Sequence, residues 1–271
     1  STPFVLEDTI KQINKLKKTY YLLDPIRDID TISDLIIAEF DNDNVTELGH
    51  GEYNLNYRLN NEVIRINLAS QIGLGEKQLK YEYDALKVLE KLGVTPKPYK
   101  FYGKGKFLPK SFMTMEYVEG RPLNYKSDMD IAAKLLSSVH NLRGEYDNFI
   151  CAKKPFQFMF DEFVSMFSYY QAYENKDLEV EAKINKFLNI AKSSGLDAEI
   201  KKTCIINTEL NNRNFIIGKH PVIIDWEKPI IGECEQDLAH FLVPTTTNWK
   251  TDTILTEEEM LLFLKVYEQY R

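Results

Sequence analysis

The spacing of apolar residues changes once along this chain, and that change constrains the fold more than any single motif does. From about residue 45 the apolar positions come in short alternating runs: Val45-Thr-Glu-Leu48, Tyr57-Arg-Leu59 and Val63-Ile-Arg-Ile66. Separated by a glycine-containing turn and by Asn60-Asn61, they predict a small antiparallel meander. A helix is expected over 75–92, with Leu79, Tyr83, Leu86, Leu89 and Leu92 on one face and Gly93 just past its end. Two more strands are expected near 99–102 and 111–118, before Gly120-Arg-Pro122 breaks the pattern. Beyond that point helical spacing dominates, over 128–142, 156–175 and 178–193. Two short β-like runs follow, Phe215-Ile-Ile217 and Val222-Ile-Ile224, and then a last helix over 256–270 behind the capping pair Thr256 and Glu259. The fold class is therefore α+β, with a β-rich lobe at 45–119 and a larger, mainly helical lobe at 120–271. Residues 1–44 are expected to form a helical arm, with Ile10, Ile13 and Leu16 on one helix and Leu35, Ile36 and Phe40 on another. The turn-like Leu23-Asp-Pro-Ile lies between them.

The 271 residues carry 34 Lys and Arg against 41 Asp and Glu, a net charge of −7, which argues against wholesale capture of nucleic acid or anionic lipid. No apolar run approaches the roughly 20 residues of a membrane helix. The amino terminus has no basic segment followed by a long apolar one, so a cytoplasmic protein is expected. Cys151, Cys204 and Cys234 show no metal-ligand spacing and read as ordinary reduced thiols. No fixed-period repeat is present, and the oligomeric state is unreadable.

Three windows carry chemistry. Gly49-His-Gly51-Glu-Tyr-Asn54 places two glycines in the first β-turn, where backbone N–H groups can approach a phosphate, although an ordinary hairpin turn has the same look. Arg65 interrupts an apolar strand; facing a core it needs an anionic partner, for which Glu82 on the next helix is a candidate, and facing outward it needs none. Glu209 stands five positions before Asn214, and Asp225 ends an apolar strand. Asn214 and Asp225 suit Mg²⁺, which takes hard oxygen ligands and leaves places for water and phosphate; both residues are also common turn formers.

Together these windows resemble the aminoglycoside phosphotransferase and choline kinase superfamily, small-molecule kinases on the protein-kinase fold, over roughly residues 45–245. The family's HGDxxxxN loop and following IDWE are matched by Asn207-Thr-Glu209, Asn214 and Ile224-Asp-Trp-Glu227. Met113-Thr-Met-Glu-Tyr-Val118 is similar to the hinge strand, Leu135-Leu-Ser-Ser-Val-His140 to the Leu-x-x-x-Leu-His helix, and Gly232-Glu-Cys-Glu-Gln-Asp237-Leu-Ala to the segment supporting the catalytic loop. The resemblance implies a bilobal kinase-like fold, ATP as phosphoryl donor with GTP open, and Mg²⁺ as cofactor. It also implies roles: Gly49, Gly51 and Asn54 over the phosphates, Arg65 on the α/β-phosphates with Glu82 fixing it, Glu116 and Val118 on adenine, Asn214 and Asp225 on the metal, and Glu209 as catalytic residue. Asn207 and Glu209 depart from the family's His and Asp. A Glu reaches about 1.5 Å further than an Asp, and this departure leaves a nucleotide-binding pseudokinase as an alternative reading.

The acceptor is expected to be a small molecule with a hydroxyl. Between 157 and 200 the chain has eight acidic residues against four lysines, which suits a cationic acceptor such as an amino sugar or amino alcohol, or simply a solvated surface. Phe156, Phe160, Phe163, Phe167 and Tyr170 form an aromatic stripe expected to be core, with Tyr169 and Tyr173 off it, placed to line a cleft. Residues 97–110 interleave five lysines with aromatics. This pattern reads mainly as a solvated hairpin and keeps an RNA or protein acceptor as a third reading.

Overall fold

Five antiparallel strands build the amino-terminal half: β1 (Val45–His50), β2 (Asn54–Leu59), β3 (Glu62–Asn67), β4 (Pro98–Tyr102) and β5 (Phe112–Glu116). They lie in the order β1-β2-β3-β5-β4. The computed structural model describes residues 4–23, 28–70, 72–144 and 146–271. Period-two alternation sorts the strand residues onto two faces. Leu55, Tyr57 and Leu59 of β2, Ile64 and Ile66 of β3, and Phe112 of β5 form one apolar layer. Val63, Arg65 and Met113 alternate with them and so turn to the other face.

Both faces are covered. Two helices precede the sheet, α1 (Val5–Lys15) and α2 (Ile32–Phe40). The second opens on a capping box between Thr31 and Asp34 and buries Ile36 completely in the outer layer, with Leu35 and Phe40 beside it. Its Glu39 carboxylate accepts the backbone N–H groups of Lys106 and Phe107, at 3.1 and 2.6 Å, which ties the lysine-rich 97–110 segment to the lobe. That segment runs along β4, at the edge of the sheet. The first helix buries nothing. Of the two amino-terminal helices, α2 is a wall of the small lobe, while α1 stands on the surface. The expected turn at Leu23-Asp-Pro-Ile falls, beyond Leu23, outside the described residues.

The inner face of the sheet packs on α3 (Gln78–Leu89), which a 3-10 turn closes at Gly93 with φ of 65°. That left-handed angle is the reason glycine follows the helix. Leu79, Leu86, Leu89 and Met113 belong to the same buried cluster as Leu135, Ile205, Phe215, Trp226 and Phe263, so the two lobes share one core.

The chain enters the second lobe through β6 (Arg121–Pro122), laid against β8 (Phe215–Ile217), which pairs with β9 (Val222–Ile223). At this crossing a Cβ on Gly120 would lie 2.8 Å from the Ile217 carbonyl oxygen, so only glycine lets the strands meet. The helices are α4 (Met129–His140), α5 (Pro155–Ala172), α6 (Leu178–Lys192), α7 (Cys234–Leu242), α8 (Pro244–Thr251) and α9 (Glu257–Tyr270); β7 (Cys204–Ile206) and β10 (Ile230–Gly232) make a two-stranded ribbon.

The aromatic stripe of α5 is not core. Only Phe167 of that stripe is buried, while Phe156 and Phe163 are more than half exposed, because α5 pairs with α6 alone along most of its length. Tyr169 and Tyr173 are exposed as well. Among the described residues no helix is long and apolar enough to cross a membrane.

Candidate active site

A cavity of about 700 Å³ lies between the lobes, bordered by the β1–β2 turn, β3, α3, the segment after β5, the turn before β8 and the residues after β9. Its centre is a buried cation. Arg65 sits on the inner face of β3, where its guanidinium Nε meets Glu82 of α3 at 2.9 Å. One terminal nitrogen donates to Asp225 at 2.8 Å and lies 3.3 Å from Glu227, and the other donates to Asn56 at 3.2 Å. Five donors in a fixed fork permit this fan of partners, where an ammonium offers a point charge. Arg65 thus joins a helix of the small lobe to the loop after β9 in the large one.

The carboxylates outnumber the cation, and burial makes that costly. Desolvation pushes Glu82 up to about 6 although Arg65 pulls it down. Desolvation together with the neighbouring Asp225 drives Glu227 up to about 8, again against Arg65. The Arg65 guanidinium is held in its charged form by Glu82, Asp225 and Glu227 against the same desolvation. The half-exposed carboxylate of Asp225 sits at the cavity wall with Asn214. The Asn214 amide oxygen accepts the Asn211 N–H at 2.8 Å, which engages one of its two lone pairs.

The turn between β1 and β2 is tight: Gly51 N–H donates to the Asn54 carbonyl at 2.9 Å, and a Cβ at Gly51 would lie 3.3 Å from that oxygen. Gly49 faces open space. Asn54 behaves differently from a loop-tip residue. Its side chain is buried, donating to Glu227 and accepting from Asn67 at 3.1 Å, so it braces the sheet against the large lobe. At the far end of the cavity Glu116 N–H is used by the Lys97 carbonyl and Tyr117 N–H by that of Asn61. At and just past the end of β5, Glu116, Tyr117 and Val118 border the cavity.

The loop after β7 is held by Asp237 of α7, whose carboxylate accepts the N–H groups of Asn207 and Thr208 at 2.8 and 2.7 Å and meets His140 of α4 at 3.2 Å. His140 in turn contacts the Tyr267 hydroxyl of α9 at 2.8 Å. Under this grip Thr208 takes φ of 78°, an angle a β-branched residue adopts only under constraint. Asn207 donates through its side-chain amide to the Asp225 carbonyl at 2.9 Å, linking the two loops. Glu209 follows, with Lys228 at 3.5 Å.

Arg65, Glu82, Asp225 and Asn214 therefore gather around one cavity, with Gly49, Gly51, Glu116 and Val118 on its rim. Glu209 follows the Asn207–Thr208 turn and is not among the residues lining the cavity. Sequence reasoning passed over Asn56 and Trp249 with Lys250, which also border the cavity, and Lys228, which lies beside Glu209. Asn56 carried a usable signal, a polar side chain alternating into the same face as Arg65's neighbours. Trp249 and Lys250 carried none, because α8 is short and mostly polar.

The model of the phosphotransferase enzyme family, APH, matches residues 44–270. The chain belongs to that family. Its members' fold recurs in solved structures at low identity. The streptomycin–ATP ternary complex of APH(2")-IIa is 16% identical with a TM-score of 0.61, covering 90% of this chain and 83% of that one. The choline/ethanolamine kinase family protein from Mesorhizobium loti is 15% identical with a TM-score of 0.59, covering 83% and 69%. Choline kinase from Cryptosporidium parvum is 16% identical with a TM-score of 0.60, covering 83% and 72%. None of the curated proteins matches the chain in sequence. The bilobal architecture of this APH-family protein is accordingly kinase-like.

Proposed function

We propose that this APH-family protein transfers the γ-phosphoryl group of a purine nucleoside triphosphate, ATP or GTP, to a hydroxyl of a small-molecule acceptor. The observation that carries the reading is the buried Arg65 fork tying Glu82 to Asp225 across an interlobe cavity of nucleotide size. Phosphoryl transfer asks a protein chiefly for positioning and for stabilisation of spreading negative charge. The Glu116 carbonyl and Val118 N–H fit the edge of a purine, the Gly49–Gly51 turn fits the phosphates, and the Arg65 fork fits the α/β-phosphates once it yields part of its contact with Asp225.

A divalent cation suits the same wall. Three carboxylates around one guanidinium leave excess negative charge that would repel a triphosphate, and Asp225 and Asn214 present hard oxygens to offset it. Bound there, Mg²⁺ would neutralise charge on the β- and γ-phosphates. Glu209 supplies the carboxylate that orients the acceptor hydroxyl and takes its proton as the new O–P bond forms and the bond to the leaving diphosphate breaks. Acidic side chains on α5 and α6 favour an amino sugar or amino alcohol as acceptor, the class to which the aminoglycoside complexes and choline kinases among the structural neighbours also point.

The test joins thermal stability with ATP or GTP, each with and without Mg²⁺, to diphosphate release over amino sugars, amino alcohols, nucleosides and tRNA. A Mg²⁺-dependent rise in midpoint with acceptor-stimulated release is expected. A rise without release from any acceptor would favour the pseudokinase reading, which the Asn207-Thr-Glu209 sequence prompts. No rise would sink the nucleotide assignment.

A further inference from the structure

Lys228 follows Glu227 directly, yet its side chain turns away from the nucleotide cavity into a second cluster of charge. It is 7% exposed, pairs with Glu162 of α5, and holds its Nζ 3.5 Å from a Glu209 carboxylate oxygen. Its backbone carbonyl accepts the Thr208 hydroxyl at 3.2 Å, so main chain and side chain both brace the catalytic loop. His240 of α7 completes the surroundings. Burial pushes its imidazole down, with Lys228 acting the same way and with Asp237 and Glu209 opposing. Among the titratable groups around Glu209 are thus Lys228, which pairs with it, His240, which burial disposes to the neutral form, and Glu227, with Glu162 behind the lysine.

Burying an ammonium costs several kcal/mol before its partners repay it. A site carries that cost where it fixes something. Glu209 has one more rotatable bond than an aspartate would, so its backbone alone defines the carboxylate position less sharply. We infer that Lys228 is the positioning residue for Glu209, setting its reach by an ion pair, with Glu162 anchoring the lysine from α5. The inference rests on the phosphotransferase reading. In the transfer itself the acceptor proton passes to the Glu209 carboxylate, and Lys228 takes no part in the proton transfer.

Lys228→Met, Lys228→Arg and Glu162→Gln should be compared with the unmodified protein, using Mg²⁺–ATP with choline, ethanolamine, kanamycin and gentamicin as acceptors. A carboxylate misplaced by about 1 Å costs about a hundredfold. Lys228→Met should therefore lower kcat about 100-fold while the KM for ATP and the Mg²⁺–ATP thermal shift stay within twofold. Lys228→Arg should recover part of the loss, because a cation returns. A purely structural lysine would instead lower the melting midpoint without splitting kcat from KM. Lys228→Met turning over like the unmodified protein overturns the inference. If that variant does not fold, Glu162→Gln decides: a fall in kcat of about tenfold at unchanged KM for ATP supports the positioning role, and unchanged kcat overturns it. Absence of turnover in the unmodified protein, with every acceptor and with water, would fell the phosphotransferase reading itself, which is a different result.

Discussion

The interlobe region holds two buried cations, and they are arranged by opposite logics. Arg65 faces the interlobe cavity and spreads four contacts over Glu82, Asn56, Asp225 and Glu227. Lys228 turns away from that cavity and spans Glu162 and Glu209. Apart from Asn56, the first cluster is built from residues at family motif positions. The second surrounds the position where this chain departs from the family, Glu209 in place of Asp. A fork suits a site that must grip a branched anion; a point charge suits one that only has to hold a single carboxylate still. The difference is that the chain's departure at Glu209 has a cation placed beside it, which is what the positioning inference requires of a loop built around a glutamate.

Removing the Arg65 charge gives the largest effect. Arg65→Met leaves Glu82 buried and unpaired, a change that typically costs 3–5 kcal/mol, roughly what breaking a buried ion pair does. Chemical denaturation should show that loss, together with disappearance of the Mg²⁺–ATP shift. Next, Glu209→Gln should cut turnover by about 100- to 10,000-fold, the span general-base removal covers, with nucleotide binding retained. Equal effects of the two variants on nucleotide binding would erase the contrast between the clusters.

A pH titration sharpens it. Glu227 is raised to about 8 and Glu82 to about 6 in the folded protein, from ordinary values near 4.5. The folded state then binds more protons than the unfolded one between those values, so the stabilisation is complete below about pH 4.5 and is lost as pH rises toward 8. The nucleotide-free protein should melt progressively lower over that window, and Glu227→Gln should flatten most of the decline. The smallest effect falls on the backbone. Thr208→Gly relieves a left-handed strain of roughly 1–2 kcal/mol. It also gives up the hydroxyl hydrogen bond and adds unfolded-state freedom, so its melting midpoint should move by only a few degrees. A large rise would mean that Asp237 alone holds the loop.

The regular elements were legible because their apolar spacing is long enough to read: α3, α4, α6 and α9 lie within a few residues of the periodic segments. Cys204–Ile206 and Ile230–Gly232 are three-residue strands, too short for any period to register, and α8 is mostly polar. The α5 stripe misled for a physical reason. Aromatic spacing says which residues share a face, and whether that face meets a partner depends on packing elsewhere. In the site, Arg65 and Glu82 could be paired from sequence because a cation in an apolar strand demands an anion. Lys228 could not, since its partners lie 66 and 19 positions away in chain segments with no shared pattern.

One consequence of α2 concerns where this protein can be cut. Likeness to the family begins at residue 44, whereas Ile36 has no exposed surface at all. Homology and burial thus draw two different amino-terminal borders. A fragment trimmed to the homologous border would present Leu55, Tyr57, Ile64 and Ile66 to water as one continuous greasy panel, and such panels recruit one another. The smallest fragment that stays in solution as a monomer should therefore start before Thr31.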